Sequence, residues 1–305
     1  MDTAIAMVHQ VFGADPDWKQ VVLTLATPLF LIAFVIEWSW MKRRGRLDAF
    51  PPKDILVNLA LGSLYQVFEL LAWALITGLA SSWIYAHRRF EIPFNIWTAL
   101  PLFFATEFLY YWFHRASHRV RWFWSAHVVH HTGESMNLST AMRQGLLYSI
   151  TGWWLFFMPL VWLGVSPAVV FFLYALNLFY QYFVHTEAVG RLPRAVEYLF
   201  NTPSHHRAHH GRNPQYIDRN FGGVLIVFDR WFGTFVEETE RPDYGIPRQP
   251  KTRNPISLNF HEFFDMWRDV LRAGPWTQRL KHLWGPPEWQ RPETSSVQDS
   301  PRAPV

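Results

Sequence analysis

The sequence predicts an all-α integral membrane protein, a helical bundle of about four to five transmembrane helices with a cytosolic, histidine-rich helical cap. Three observations predict it. Half of the 305 residues are hydrophobic and 18% are aromatic, yet the mean hydropathy is −0.02, so apolar and polar residues are segregated into blocks rather than mixed. Several apolar blocks approach or exceed the roughly 20 residues that a helix needs to cross the hydrocarbon core. Nine of the 14 histidines fall in three short runs, HRASH, HVVHH and HHRAHH, and eight of them, all but His205, stand at the i, i+3 and i+4 spacings that a helix brings together.

The first block, VVLTLATPLFLIAFVIEWSW at 21–40, carries a single charge, Glu37. The basic run KRRGR at 42–46 follows it and no small-residue cleavage site does, so it reads as an anchor rather than a signal peptide. Its basic flank is expected in the cytoplasm. A second apolar stretch runs from Ile55 to about Tyr85, interrupted by Asn58, Gln66 and Glu69, and a third from Ile96 to Phe113. Gly145–Leu163 and Pro167–Val184 are the fourth and fifth, separated by so short a break that they must be antiparallel neighbours. Counted from a cytoplasmic KRRGR loop, all three histidine runs and His185 emerge on the cytoplasmic face of a multi-pass protein.

This divides the chain into N-terminal transmembrane helices and loops (1–95), a histidine-bearing domain (96–240) in which any catalytic site is expected, a cytosolic extension (241–285) and a tail of disordered composition, PPEWQRPETSSVQDSPRAPV (286–305). The apolar run GGVLIVFDRWFGTF at 222–235 is expected to cover the site or lie at the interface.

Composition narrows the chemistry. With no cysteine, disulfides, thiolate zinc fingers, iron-sulfur clusters and cysteine nucleophiles are excluded. A net charge of +4 invites a nucleic-acid reading, but the basic residues are scattered and the apolar blocks are too long for a soluble binding domain. His114 and His118, then His127, His130 and His131, then His206, His209 and His210 are each spaced to share a helix face, and the topology gathers them. Imidazole suits zinc, copper, iron or nickel. Eight or nine ligands are too many for one tetrahedral ion, so two ions are expected. There is no HExxH of a zinc protease and no Glu-x-x-His repeat of soluble di-iron bundles. A polyhistidine metal pair at a membrane surface points instead to iron and dioxygen acting on a lipid. A membrane metal carrier would need a polar path through the spans, and a structural zinc protein remains an alternative. The isolated His9, His87, His261 and His282 read as ordinary exposed or hydrogen-bonded residues.

At these residues the chain resembles the fatty acid hydroxylase superfamily, also called the sterol desaturase family, whose integral membrane di-iron enzymes carry HxxxH, HxxHH and HxxHH. The shared text includes YYWFHRASH, NLSTAMRQ, HTE, NTPSHHRAHHGRN and YIDRNFGGVLIVFDRWFGTF and covers roughly residues 100–240. The resemblance implies that His114, His118, His127, His130, His131, His206, His209 and His210 ligate two iron ions that use O2, with His185 of the HTE element as a ninth ligand and His205 outside the set. Glu134, Asn137, Glu187 and Asp218 lie in the matched blocks as candidates to orient the ligand imidazoles. The likeness is closer to an ether-lipid branch, which implies hydroxylation beside an ether oxygen and an external electron donor, a reduced pterin such as tetrahydrobiopterin, or else an electron-transfer protein. Where that branch has Glu after HxxxH, this chain has Arg119. Desaturation or hydroxylation of a sterol, a fatty acyl chain or an aminolipid is the alternative within the superfamily. Because ligand histidines must be neutral, activity is expected to fall as pH drops through about 6.5, the ordinary imidazole value.

Overall fold

The computed structural model describes residues 16–292. The expected all-α architecture is present: among the described residues there are only isolated β-bridges outside the helices. Helix α1 spans Trp18–Arg43 and is opened by Asp17, whose carboxylate accepts from the Lys19 amide at 2.9 Å; Lys42 and Arg43 sit at its negative C-terminal end. Its middle is bare, with Leu25, Leu29, Ile32, Val35 and Ile36 all exposed, which suits hydrocarbon and not water. Helices α2 (Pro52–Ala72) and α3 (Gly78–Ala86) are joined by a π turn at Trp73–Thr77. Helix α4 (Ile96–Arg119) starts from a capping box of Asn95 and Thr98 and passes at Val120 directly into α5 (Arg121–His131).

After a 3₁₀ turn at Leu138–Met142 come the short α6 (Tyr148–Thr151), a second 3₁₀ turn (Trp153–Phe157), α7 (Met158–Leu163) and the long α8 (Pro167–Val184). The remaining helices are α9 (Arg194–Leu199), α10 (Pro203–His209), α11 (Val227–Phe232), α12 (Pro255–Leu271) and α13 (Trp276–Trp284).

Among the described residues, three helical elements are long and apolar enough to cross a membrane: α1, the 40-residue stretch Leu47–Ala86 and α8. Two of the expected spans differ. Ile96–Phe113 does form a helix, but it continues as the charged and histidine-rich end of α4 and holds the buried Glu107, so α4 falls outside the three. Gly145–Leu163 is broken. Gly152 adopts φ +93°, left-handed backbone that ends α6 after one turn, so the segment is a chain of short pieces. Trp153, Phe157 and Val161 from these pieces pack with Phe171 and Tyr174 of α8 into the main core, with Trp153 stacked on Tyr174 at 4.6 Å. Helix α8 also runs along α1, where Phe30 stacks on Tyr182 at 4.1 Å.

Buried carboxylates tie the helices to the loops around them. Glu37 of α1 accepts from the Leu138 amide and from the Thr186 hydroxyl. Glu69 of α2 meets Lys19 and Ser149. Glu107 of α4 accepts from the Asn177 side chain at 2.6 Å and from the Val224 and Leu225 amides at 2.8 and 3.2 Å. That carboxylate fixes the 222–235 run against α4, where Phe221, Phe228 and Tyr111 form a small core of their own. Pro286–Arg291 also folds back: Trp289 lies against His282, and Arg291 donates to the Arg272 and Ala273 carbonyls.

Glu107→Ala would leave two buried donors, the Asn177 side chain and the Val224 amide, without an acceptor at about 1–3 kcal/mol for each, and the partly buried Leu225 amide with them. The expected outcome is a clear fall in the melting temperature of detergent-purified protein. An unchanged melt would show that Glu107 does not hold the 222–235 segment.

Candidate metal centre

Nine imidazoles from three helices and one helix end converge here. His114 and His118 come from the last turns of α4, His127, His130 and His131 from α5, His206 and His209 from α10 with His210 at its end, and His185 caps α8. All nine are at most 7% exposed. They form two groups: His114, His118, His127, His131 and His209 in one, and His130, His185, His206 and His210 in the other. The partition follows from helix geometry. Residues four apart share a face, so His127 and His131 join one group and His206 and His210 the other. The intervening i+3 histidine is turned by about 60°, which sends His130 and His209 across to the opposite group.

The nitrogens meet in a way that hydrogen bonding alone cannot satisfy. The Nε2 of His127 lies 3.1 Å from those of His114 and His118 and 3.0 Å from that of His131. In the second group, Nε2 of His206 is 2.8 Å from His185 and 3.1 Å from His210, and His185 is 3.2 Å from His130. A neutral ring nitrogen carries one proton or one lone pair, so it cannot serve three such neighbours. Within each group the donor atoms lie within 4.8 Å of one another, close to twice a metal–nitrogen bond of about 2.0–2.1 Å. Nε2 of His209 is buried with no hydrogen-bond partner. The donor set therefore fits two transition-metal ions.

The outer nitrogens set the tautomer. Nδ1 of His114 donates to the Phe221 carbonyl at 2.8 Å, that of His130 to Arg143 at 3.0 Å, that of His185 to Gln181 at 2.7 Å and that of His209 to Arg219 at 2.8 Å. A carbonyl only accepts, so each proton sits on Nδ1 and each Nε2 lone pair faces inward. Nδ1 of His127 pairs with the Tyr148 hydroxyl. His118 faces the Asp218 carboxylate at 3.5 Å, which also binds Arg119.

Of the four residues expected to orient ligands, Asp218 alone touches a histidine of the groups. Glu134 is exposed. Asn137 caps the 3₁₀ turn and binds the Ala49 carbonyl at 2.7 Å. Glu187 pairs with Arg46 and accepts from Tyr244 at 3.0 Å. His205 is held by Glu197 at 2.8 Å, away from both groups. His87, His261 and His282 make ordinary hydrogen bonds elsewhere, and His9 lies outside the described residues. Sequence reasoning missed Tyr148 and the four carbonyls. The one available signal was the Asp218–Arg219–Asn220–Phe221 stretch. Asp218 and Asn220 both adopt φ +58° there, a backbone that Asp and Asn tolerate better than most residues.

Two cavities reach the histidines. One of about 190 Å³ is lined by His114, His127, His130 and His185, from both groups, and by Leu23, Thr27, Phe30 and Leu31 of α1. A larger one of about 730 Å³ is lined by His118, His131 and His209 together with Asp218, Arg119 and polar residues of α12.

Burial pushes His114, His127, His130, His131, His206, His209 and His210 well below the usual imidazole value, and His185 down to about 4. The folded rings thus stay neutral below pH 6.5, and the acid limit expected from an ordinary imidazole moves downward. An imidazole with a depressed folded-state pKa takes up a proton on unfolding. Its contribution to stability is complete above about pH 6.5 and is withdrawn as pH falls from there towards the folded-state value. Chelator-treated protein is expected to melt at progressively lower temperature between pH 7.5 and about pH 5, and a flat melting temperature would mean solvated rings. For Tyr148→Phe, which removes the partner of His127 Nδ1, chelator competition should read a loss of about 10–100-fold in metal affinity.

Residues 98–234 match the family model described as fatty acid hydroxylase. The chain is 36% identical over 285 residues to alkylglycerol monooxygenase of Homo sapiens, covering 92% of this chain and 62% of that protein. It is 35% identical to the Danio rerio protein of the same name, with 91% and 62% covered. Ornithine lipid hydroxylase of Rhizobium tropici is 27% identical over 205 residues, with 65% and 60% covered. The chain thus spans about three fifths of the length of these relatives. No solved structure matches.

Proposed function

The chain belongs to the fatty acid hydroxylase family through residues 98–234, and from that premise we propose that it is a membrane-bound, O2-dependent di-iron monooxygenase that hydroxylates a C–H bond of a lipid alkyl or acyl chain. The observation that carries the reading is the 190 Å³ cavity, which joins the lipid-facing α1 to both histidine groups. Leu31, in its wall, is also 55% exposed on the outer surface of α1, so an alkyl chain could pass from the bilayer to the histidines while its head group stays at the interface. Similarity to alkylglycerol monooxygenases supports an ether lipid as substrate, and similarity to an ornithine lipid hydroxylase supports an aminolipid as the next class to test.

In this reading one ion is held by His114, His118, His127, His131 and His209 and the other by His130, His185, His206 and His210. Iron bound there supplies the activation of dioxygen and the oxidation of an unactivated C–H bond. The protein supplies the rest. Tyr110, Phe113, Trp153 and Tyr174 line the cavity and keep water from it, and the carbonyl-bound Nδ1 protons hold the imidazoles in the ligating tautomer. Tyr148 acts on the cavity itself. With His127 donating to its oxygen, the phenol proton is free to donate to an oxygen atom of the bound lipid. Electrons come from an external donor, a reduced pterin or an electron-transfer protein. The basic Lys42–Arg46 segment after α1 supports a cytoplasmic site.

Cells carrying the intact chain or His130→Ala, grown under heavy oxygen, are to be compared by lipid mass spectrometry. The expected outcome is one added heavy oxygen, or the aldehyde left by ether cleavage, in one lipid class with the intact chain alone. A new double bond without label would make the chain a desaturase, and identical lipid profiles would refute the monooxygenase.

A further inference from the structure

Helices α12 and α13 carry more apolar surface than the fold buries. At 100° per residue, α12 has three faces. Leu258, Asn259, Met266 and Val270 are buried against the protein, where Glu262 also meets Arg121. Ser257, His261, Asp265 and Arg268 form a polar face. Between them runs a stripe of Ile256, Phe260, Phe263, Phe264, Trp267 and Leu271, of which Ile256, Phe264 and Leu271 are 54%, 60% and 68% exposed. A helix that only packs on a protein needs one apolar stripe. Here a second, larger stripe is only partly covered: Phe260 and Phe263 pack on the core, while Ile256, Phe264 and Leu271 face outward. In α13, Trp276, Leu280, Leu283 and Trp284 fall at i, i+4, i+7 and i+8, with Trp276 and Trp284 61% and 62% exposed.

We propose that α12 and α13 form a platform lying in the interfacial zone of the bilayer, recognising a lipid surface with anionic head groups. The outward stripe is continuous with the surface of the spans: α12 packs on α2 within the Leu47–Ala86 element, and Phe260 and Phe263 pack on the core that includes Trp153 and Phe157. Charge agrees. Residues 251–292 contain seven basic and four acidic side chains. The Arg279 guanidinium stacks 4.7 Å from the Trp276 ring, and the Lys281 ammonium lies 6.0 Å from Trp284 and 4.7 Å from Trp289. Tryptophan edged by Arg and Lys is the composition of helices that lie at a membrane surface, whereas interfaces between protein copies are depleted in Lys. The platform requires only that the spans cross a bilayer, whatever chemistry the histidines perform. Its consequence reaches them all the same. His261, Glu262 and Asp265 of α12 wall the 730 Å³ cavity, so contact with lipid sets the position of that wall and brings the cavity mouth to the head-group level.

The chain has no cysteine, so Phe264→Cys, Trp276→Cys and Trp284→Cys each place one nitroxide label. The full chain is reconstituted in vesicles of phosphatidylcholine and phosphatidylglycerol, and label collisions with oxygen and with a water-soluble nickel chelate are compared. Leu29→Cys in the bare middle of α1 is the lipid reference, Glu134→Cys the aqueous one, and gel filtration and melting check the fold of each variant. The expected result is a shift of the oxygen-to-nickel collision ratio towards the Leu29 reference at all three positions, and towards the Glu134 reference for Arg268→Cys on the polar face. Ratios at the aqueous reference at the three positions would overturn the proposal. So would low collision with both reagents accompanied by spin–spin broadening, which would put a second copy on the stripe.

Discussion

The constraint on which the structure turns is that nine buried imidazoles must each present a lone pair inward. An imidazole left to itself exchanges tautomers freely, and a buried ring with the wrong nitrogen protonated would aim a donor where an acceptor is required. Backbone carbonyls provide the remedy at His114, His130, His185 and His209. Being acceptors only, they hold the proton on Nδ1 and leave Nε2 to the centre of the group.

Those carbonyls come from places where regular backbone pairing ends. Gln181 belongs to the last turn of α8, whose final four carbonyls have no partner within the helix. Arg143 follows the 3₁₀ turn at Leu138–Met142. Arg219 and Phe221 lie in the stretch where Asp218 and Asn220 take left-handed backbone. Interruptions that look like weaknesses in a helical protein are thus the parts that address the histidines. The buried carboxylates serve the same end at one remove. Glu37 ties α1 to the Leu138 turn and to Thr186 beside His185, and Glu107 ties α4 to the loop that carries Phe221. Each spends two carboxylate oxygens on buried donors that would otherwise be unpaired in an apolar setting.

This explains what could be read beforehand and what could not. The helices bearing HRASH, HVVHH and HHRAHH were legible because histidines at i, i+3 and i+4 announce a shared helical surface, and His185 was legible through the HTE element. The division into groups of five and four was also implicit, since adjacent histidines on a helix diverge by about 100°. Glu134, Asn137 and Glu187 show the limit of proximity in sequence: a carboxylate near a motif is as ready to cap a turn or pair with arginine as to support a ligand. A carbonyl leaves no trace in a sequence at all, because every residue has one. Apolar length alone makes Gly145–Leu163 look like one long helix because it is blind to Gly152, where left-handed backbone cuts the segment into short pieces.

The same physics separates the traffic that the proposed reaction needs. A lipid chain is driven into an apolar passage by loss of water contact, which the cavity beside α1 offers. A soluble reductant, protons and product water would be excluded from such a passage and require a polar one. The second cavity reaches His118, His131 and His209, while the first reaches His114, His127, His130 and His185. No histidine lines both. The two histidine groups are therefore approached through the apolar cavity by one set of imidazoles and through the polar cavity by another, and the imidazoles themselves form the partition. A lipid chain would reach the histidines through the apolar opening, while a soluble reductant and protons would arrive through the polar one.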